Sequence, residues 1–287
     1  MEPCGREEYD AALALLDQEF IFGRGRRLSL QRRFPAVFDR LHPQNIFLSH
    51  AHGAIVSALV IKPLVWITPD RTWRAAMIGM VCTRPDSRGM GSASALLQAA
   101  QARLAGEGFD FAVLWAAQPG FYARLGWLGA DCGSLGTLKM TAHDTSETLP
   151  PPDAQAISFV ESLRRRCAPE RAERSDASYA TLLPHAGQLE LLRGDSAYAI
   201  VGRQGDHGYL YEMTGAAGEY ATLWARLATR YRSLYLNVQH GSAAECFLSG
   251  HQGIEWRPQQ LAMWLPLAAA ARDAPFSRWY IPFLDRI

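Results

Sequence analysis

Apolar positions recur along the chain with two periods, helical and strand-like, and their alternation predicts an α/β protein. Leu13, Leu16 and Phe20 follow Tyr9 at helical spacing and predict a helix over residues 7–20. A second helical stretch covers residues 30–41, with Phe34, Val37, Phe38 and Leu41 on one face. The period then becomes that of strands. Residues 46–49 and 54–61 flank a turn at 50–53 and read as a hairpin. Residues 76–83 form a further apolar strand, stopped by Arg84-Pro85-Asp86-Ser87, and a helix follows over residues 89–106. Phe111–Trp115 is a short strand of buried type ahead of residues 119–126.

Residues 141–155, with Pro150-Pro151-Pro152 among Thr, Asp, Ser and Glu, read as a linker. Beyond it the same order of elements returns. Strands at 189–192 and 197–201 enclose a turn; a strand at 208–214, a helix at 220–231 and a strand at 234–238 follow. A short helical segment at 244–253 ends in glycine, with Trp256 beyond it. The repetition predicts an internal duplication and two domains, residues 1–143 and 144–287.

Composition narrows the class without naming it. Hydrophobic residues make up 48% and charged residues 20%, which is globular rather than disordered. A formal net charge of +1 argues against a dedicated nucleic-acid surface. The basic residues are almost all arginine; Lys62 and Lys139 are the only lysines. Five cysteines are scattered without a C-x-x-C pair, so neither a disulfide framework nor a metal site is expected. The first residues have no apolar run of secretory type, and the longest nearly apolar stretch, 261–271, contains Pro266 and is too short to span a bilayer. A soluble, reduced, cytoplasmic protein is the expectation.

The segment that carries chemistry runs from Val81 through Cys82, Thr83 and Arg84-Pro85-Asp86-Ser87 to Arg88-Gly89-Met90-Gly91-Ser92-Ala93. A strand ends, a turn follows, and two glycines open a long helix. The first backbone N–H groups of a helix have no intrahelical partner, and the helix dipole favours an anion there. Glycine at 89 and 91 lets a diphosphate approach the backbone, and Arg88 adds charge or fixes the loop. A dinucleotide fingerprint is excluded by context: residues 84–88 separate the strand from the glycines, and the next strand ends in Leu114-Trp115 without an acidic residue.

Arg88-x-x-Gly91-x-Ala93 matches the Q/R-x-x-G-x-G/A signature of the GNAT (Gcn5-related N-acetyltransferase) superfamily. Downstream, Pro119-Gly120-Phe121-Tyr122-Ala123-Arg124-Leu125-Gly126-Trp127 resembles the same family's F-Y-x-x-x-G-F segment. The doubled layout resembles the tandem-GNAT arrangement of Eis-like acetyltransferases, from which this chain departs by carrying no sterol-carrier-like third domain. The resemblance implies two GNAT-like units in tandem, each a mixed, largely antiparallel sheet flanked by helices. It implies acetyl-CoA as co-substrate and transfer of its acetyl group to a small amine that attacks directly. Val81 and Thr83 would offer backbone groups to the pantetheine arm, and an N–H near Val81 would stabilise the oxyanion. Residues Arg88, Gly89, Met90, Gly91, Ser92 and Ala93 would hold the diphosphate. Tyr122 would protonate the departing thiolate, and Cys82 need not act as a nucleophile.

No general base is identified, because residues 76–83 contain no carboxylate. Asp17 and Glu19 are candidates for the acceptor pocket against a reading as solvated surface; Trp66, Trp115 and Tyr9 are candidate walls against a reading as core. His50 and His52 are read as surface. In Eis-like enzymes the terminal carboxylate takes part in catalysis; here Ile287 ends an apolar tail, 279–284, which packing alone would explain. The second unit has Thr214-Gly215-Ala216-Ala217-Gly218-Glu219-Tyr220 where the cradle should be, without an arginine, and Cys246-Phe247 where Phe121-Tyr122 stood. It is therefore expected to be degenerate. The competing function is a CoA-binding sensor or scaffold without turnover.

Overall fold

The computed structural model describes residues 1–139, 149, 152–174, 179 and 188–287. Two mixed sheets, one of eight strands and one of six, are each flanked by helices. The first sheet starts from β1 (Glu2–Pro3), β2 (Ile46–Ala51), β3 (Ala54–Ile67), β4 (Thr72–Thr83) and β5 (Phe111–Trp115). Helix α1 (Tyr9–Phe20) and the short α2 (Leu30–Arg33) cover one face, and α3 (Ser92–Gly106) covers the other. The β2–β3 hairpin turns on His52 and Gly53, both at positive φ (51° and 75°), which a two-residue turn compatible with strand twist requires.

The helix expected over 30–41 stops at Arg33. Pro35 disfavours helical backbone at the residue before it, and Phe34 leaves the helix at φ −135°, ψ 63°. Val37 and Phe38 are nevertheless buried, carried inward by turns rather than by a helical face.

The strand period sorts the side chains of β3. Leu59 and Ile61 pack with Leu96, Leu97, Ala100 and Leu104 of α3. Ala58 and Val60 face Tyr9, Ala12 and Leu16 of α1. Further along, Leu64 and Trp66 join a cluster with Trp73, Phe111, Trp264, Phe276 and Trp279. Trp264 stacks on Phe276 with ring centroids 5.0 Å apart.

After α4 (Pro119–Ala123) and β6 (Leu128–Gly129) comes β7 (Gly133–Lys139). Residues 140–148, 150 and 151, most of the expected linker, lie outside the described residues. Its far end is helix α5 (Ala154–Cys167), which the sequence reading did not anticipate. Asp153 caps it, accepting the Ala156 N–H at 2.7 Å, and Arg164, Arg165 and Arg166 lie in its last turn, where a helix favours positive charge. A two-residue strand, β8 (Arg171–Ala172), then pairs with the end of β3.

The second sheet contains β9 (Gln188–Arg193), β10 (Ala197–Gln204), β11 (His207–Gly215) and β12 (Ser233–Gln239), with α6 (Tyr220–Ala228) between the last two. Helix α7 (Ala243–Ser249), β13 (Glu255–Pro258) and β14 (Ala262–Pro266) complete the chain's regular elements. The order of elements in the second half repeats that of the first.

Two strands cross over. β14 pairs with β5 and β6 and so belongs to the first sheet, whereas β7 pairs with β12 and β13 in the second. In each sheet the strand beside the parallel pair comes from the other half of the chain, so a cut at residue 143 separates β14 and β8 from their sheet and β7 from its own. A buried network within the second half ties the C-terminal tail to the second sheet: Arg174 holds Asp285 at 2.7 Å and Glu212 at 2.6 Å, and Tyr198 donates to Glu212.

Candidate functional site

The site starts from a failure of pairing. β4 and β5 run parallel, but only residues 75–77 are in register with 111–113. β4 then continues to Thr83 along β3, while β5 follows β14 away from it. The strands open a V whose walls carry backbone groups without a neighbour across the gap.

A bulge lies on that open wall. Ala58 faces Cys82 and Val60 faces Gly79, so Met80 and Val81 both stand opposite Leu59. Met80 takes φ +52°, a conformation that costs an ordinary residue about 1–2 kcal/mol. The extra residue turns Val81 toward the α3 side, where it packs in the cluster that also holds Phe121 and Tyr122.

At the open end the chain makes a short turn over Pro85–Ser87 and enters α3. Gly89 and Gly91 sit at φ +82° and +79°, and no atom lies within 4 Å of where a Cβ would be. Glycine is demanded there by backbone conformation, and the space above the loop is open. Met90 is exposed, and Ser92 and Ala93 start the helix without a side-chain cap. The first N–H groups of α3 thus meet open space, as an anion cradle requires.

Arg88 braces this loop. Its Nε donates to the Thr83 carbonyl at 3.0 Å, and its guanidinium pairs with Glu19 at 2.8 Å. The same contact engages Glu19. The Thr83 hydroxyl shares a 2.7 Å hydrogen bond with Ser57.

Tyr122 stands on α4, half-buried, edge-on to Phe121 at 4.9 Å and to Trp127 at 6.2 Å. Burial raises its phenol, so it keeps its proton beyond the usual tyrosine range. Its hydroxyl has no hydrogen-bond partner among the described residues. Cys82 is buried and its thiol is pushed up to about 12, which keeps it from acting as a thiolate.

Several candidates have structural roles instead. The Asp17 carboxylate is buried and accepts the Leu30 N–H at 2.7 Å, tying α2 to α1. Tyr9 donates to the Phe38 carbonyl at 2.7 Å, and Trp66 is fully buried in the tryptophan cluster, so neither is an acceptor wall. Trp115 is half-buried at the end of β5, with the Arg286 guanidinium 4.4 Å from its ring centroid. His50 pairs with Glu8 at 2.7 Å, and His52 is exposed in its turn.

The tail that the sequence reading expected to be held by packing lies near the V, and the cavity behind it was not foreseen. Ile287 packs against β4: its side chain would stand 3.0 Å from a Cβ at Gly79, two residues before Val81. Behind it lies a cavity of about 640 Å³, lined by residues 61–65 of β3, by Phe34 and Val37, and by residues 285–287. Nothing in the local pattern signals this, because β3, the turns after α2 and the tail meet only in three dimensions.

β11 and β12 splay in the same way, pairing only over residues 207–210 and 233–236, and a cavity of about 320 Å³ opens between them. The loop that follows is closed on itself. Gly215 lies so near the β9–β10 turn that a Cβ would meet the Ser196 carbonyl at 2.3 Å. Ala216 donates to that carbonyl, and Glu219 accepts from the Ser196 N–H and hydroxyl. The positions that answer to the open glycine loop of the first half are here consumed by internal bonds.

Residues 2–129 match the model of a family described as an acetyltransferase (GNAT) domain. Three solved structures share the fold across both halves. A probable N-acyltransferase of Enterococcus faecalis is 15% identical, with 93% of this chain and 71% of that one covered at a TM-score of 0.72. Eis1 from Mycobacterium abscessus is 11% identical, with 94% and 74% covered at 0.65. A tandem GNAT protein from the clavulanic acid biosynthesis pathway is 11% identical, with 93% and 98% covered at 0.55. No curated protein sequence matches the chain.

Proposed function

We propose, with residues 2–129 an acetyltransferase domain of the GNAT family, that the chain transfers the acetyl group of acetyl-CoA to a small amine. The observation that carries this reading is the V between β4 and β5, bulged at Met80-Val81, with Val81 packed in the same cluster as Tyr122, and ending in the glycine loop before α3. The pantetheine arm lies along the free wall from Val81 to Thr83, continuing the sheet where β5 has left it. The diphosphate rests on the N–H groups of residues 89–93, within a loop that Arg88 holds in place.

The thioester carbonyl then comes to the bulge, where a backbone N–H at Val81 stabilises the oxyanion as it forms. The amine enters deprotonated and attacks the thioester carbon. The tetrahedral intermediate collapses with loss of the C–S bond, the thiolate takes the Tyr122 proton, and the proton lost by the newly acylated nitrogen restores the phenol, directly or through water. A phenol kept protonated by burial suits that step. No covalent enzyme intermediate is needed, in keeping with the inert Cys82 thiol.

Calorimetric titration with acetyl-CoA tests the donor. Micromolar binding by the native protein, lost when Arg88→Glu and Gly91→Asp are combined, supports the cradle. No binding by the native protein removes the donor and with it each role given above. The second half is a non-catalytic unit in this reading, which supplies β14 and the tail to the first.

A further inference from the structure

β4 and β5 part at a definable pair of residues. Their parallel ladder ends with Met77 opposite Val113, and two more residues of it would set Gly79 against Trp115. Gly79 is also the last residue of β4 in register with β3 before the bulge, where it faces Val60. The V therefore opens, and the bulge begins, at the same residue.

The C-terminal tail touches both members of that pair. Ile287 sits on Gly79 so closely that a Cβ there would stand 3.0 Å from its side chain. Gly79 is not among the glycines at positive φ, so this approach, and not backbone conformation, explains why the position has no side chain. On the other strand, the Arg286 guanidinium lies 4.4 Å from the Trp115 ring centroid. Trp115 and Ile287 pack against one aromatic cluster, on the sheet face away from α3. The tail is thus a strap across the point where the V opens.

The strap is fixed from outside the V. Arg174 holds Asp285 at 2.7 Å and Glu212 of the second sheet at 2.6 Å. Lys62 gives a 2.6 Å hydrogen bond to the Asp285 carbonyl, from the stretch of β3, residues 61–65, that neither β2 nor β8 pairs. Arg286 Nε donates to the Ile281 carbonyl at 2.9 Å. Next to the seat of Ile287, Met80 is held at φ +52°, and strain of that kind persists only where the surroundings over-determine the backbone. Met80 and Ile287 pack against the same cluster beneath α1.

We propose that Ile287 is a positioning residue: seated on Gly79, it holds the Met80-Val81 bulge so that the Val81 N–H meets the thioester carbonyl, while Arg286 on Trp115 steadies the opposite strand. The inference rests on the acetyltransferase reading above. It gives the second half a part in the reaction without a second active site, as the anchor of the strap.

The experiment measures the carbonyl stretch of bound acetyl-CoA, isotopically labelled at the thioester carbonyl, by difference infrared spectroscopy, with calorimetry on the same samples. An N–H aimed at the carbonyl oxygen polarises the bond and lowers its frequency. The native protein should show that downshift. Ile287→Ala should lose most of it with acetyl-CoA affinity little changed, and Ile287→Val, which keeps the branched carbon on Gly79, should retain most of it. A downshift that survives Ile287→Ala overturns the inference. So does loss of downshift and affinity together, which marks the tail as a general support of the fold. Should Ile287→Ala not fold, Gly79→Ala breaks the same contact from the strand side and should lose the downshift too. Acetyl-CoA bound by the native protein without a downshift overturns the inference and leaves the donor standing; no binding at all removes the donor reading and the inference with it.

Discussion

Tyr122 and Asp17 show how differently buried polar groups can serve the same protein. Tyr122 has a phenol raised by burial and no hydrogen-bond partner among the described residues, as the proposed general acid requires. Tyr122→Phe should leave acetyl-CoA affinity unchanged and lower turnover by about 10²-fold or more, as loss of a general acid does. Because the phenol titrates above its ordinary range, Tyr122 itself should cause no loss of rate below about pH 10. Asp17 has a carboxyl raised by burial, partly offset by the Leu30 N–H. Its folded form therefore holds a proton more firmly than its unfolded form. The stability this contributes is fully present below the unfolded pKa and is lost as pH rises through the folded one. Asp17→Asn keeps an acceptor for Leu30 and should be neutral or stabilising at pH 7. Asp17→Leu orphans that N–H and should cost about 1–3 kcal/mol in chemical denaturation.

At the scale of elements, the loop before α3 depends on two left-handed glycines in open space. Gly91→Ala meets no atom, so its cost is backbone strain alone, about 1 kcal/mol of stability. A loop displaced by that strain should bind acetyl-CoA more weakly by titration, with melting only slightly lowered. This loop was legible in the sequence because its chemistry is local: a strand, a turn, two glycines and a helix within a dozen residues. The hairpin on His52-Gly53 was legible for the same reason, whereas the segment bearing Tyr122 was recognised by its motif and its short helix α4 was not read. Helix α2 was overextended because apolar spacing outweighed Pro35 in the reading, whereas the backbone obeys the proline. Helix α5 was hidden by the proline run before it, although Asp153 and three terminal arginines mark its ends. What could not be read were contacts between distant segments: the seat of Ile287 on Gly79, the exposed edge at residues 61–65, and Lys62 facing Asp285. No spacing along a chain encodes them.

For the whole molecule, the exchange of β7 and β14 makes each sheet depend on both halves. Residues 1–143 alone would leave β5 with an unpaired edge and remove Trp264, Phe276 and Trp279 from the aromatic cluster. That fragment should be unfolded or aggregated, and the full chain should melt in a single transition by calorimetry; two separate transitions would contradict the exchange. The buried Arg174 network ties the C-terminal tail to the second sheet. Arg174 holds the Asp285 carboxyl below its usual range, so the stability it contributes is present above the unfolded pKa and is lost as pH falls through the folded one. Asp285→Asn leaves Arg174 partly uncompensated and should cost about 3 kcal/mol or more, with the midpoint in urea as the measure.

The order in which the strands leave the ribosome follows from the same exchange. β5 is finished at Trp115, but its neighbour begins at Ala262, roughly 150 residues later. At about 5–20 residues per second the wait is on the order of ten seconds. Throughout that interval a central strand of the first sheet is an open, apolar edge, the kind of surface that pairs with other nascent chains. The first domain to be synthesised is thus the last to be closed, and a stall in the second half exposes the first.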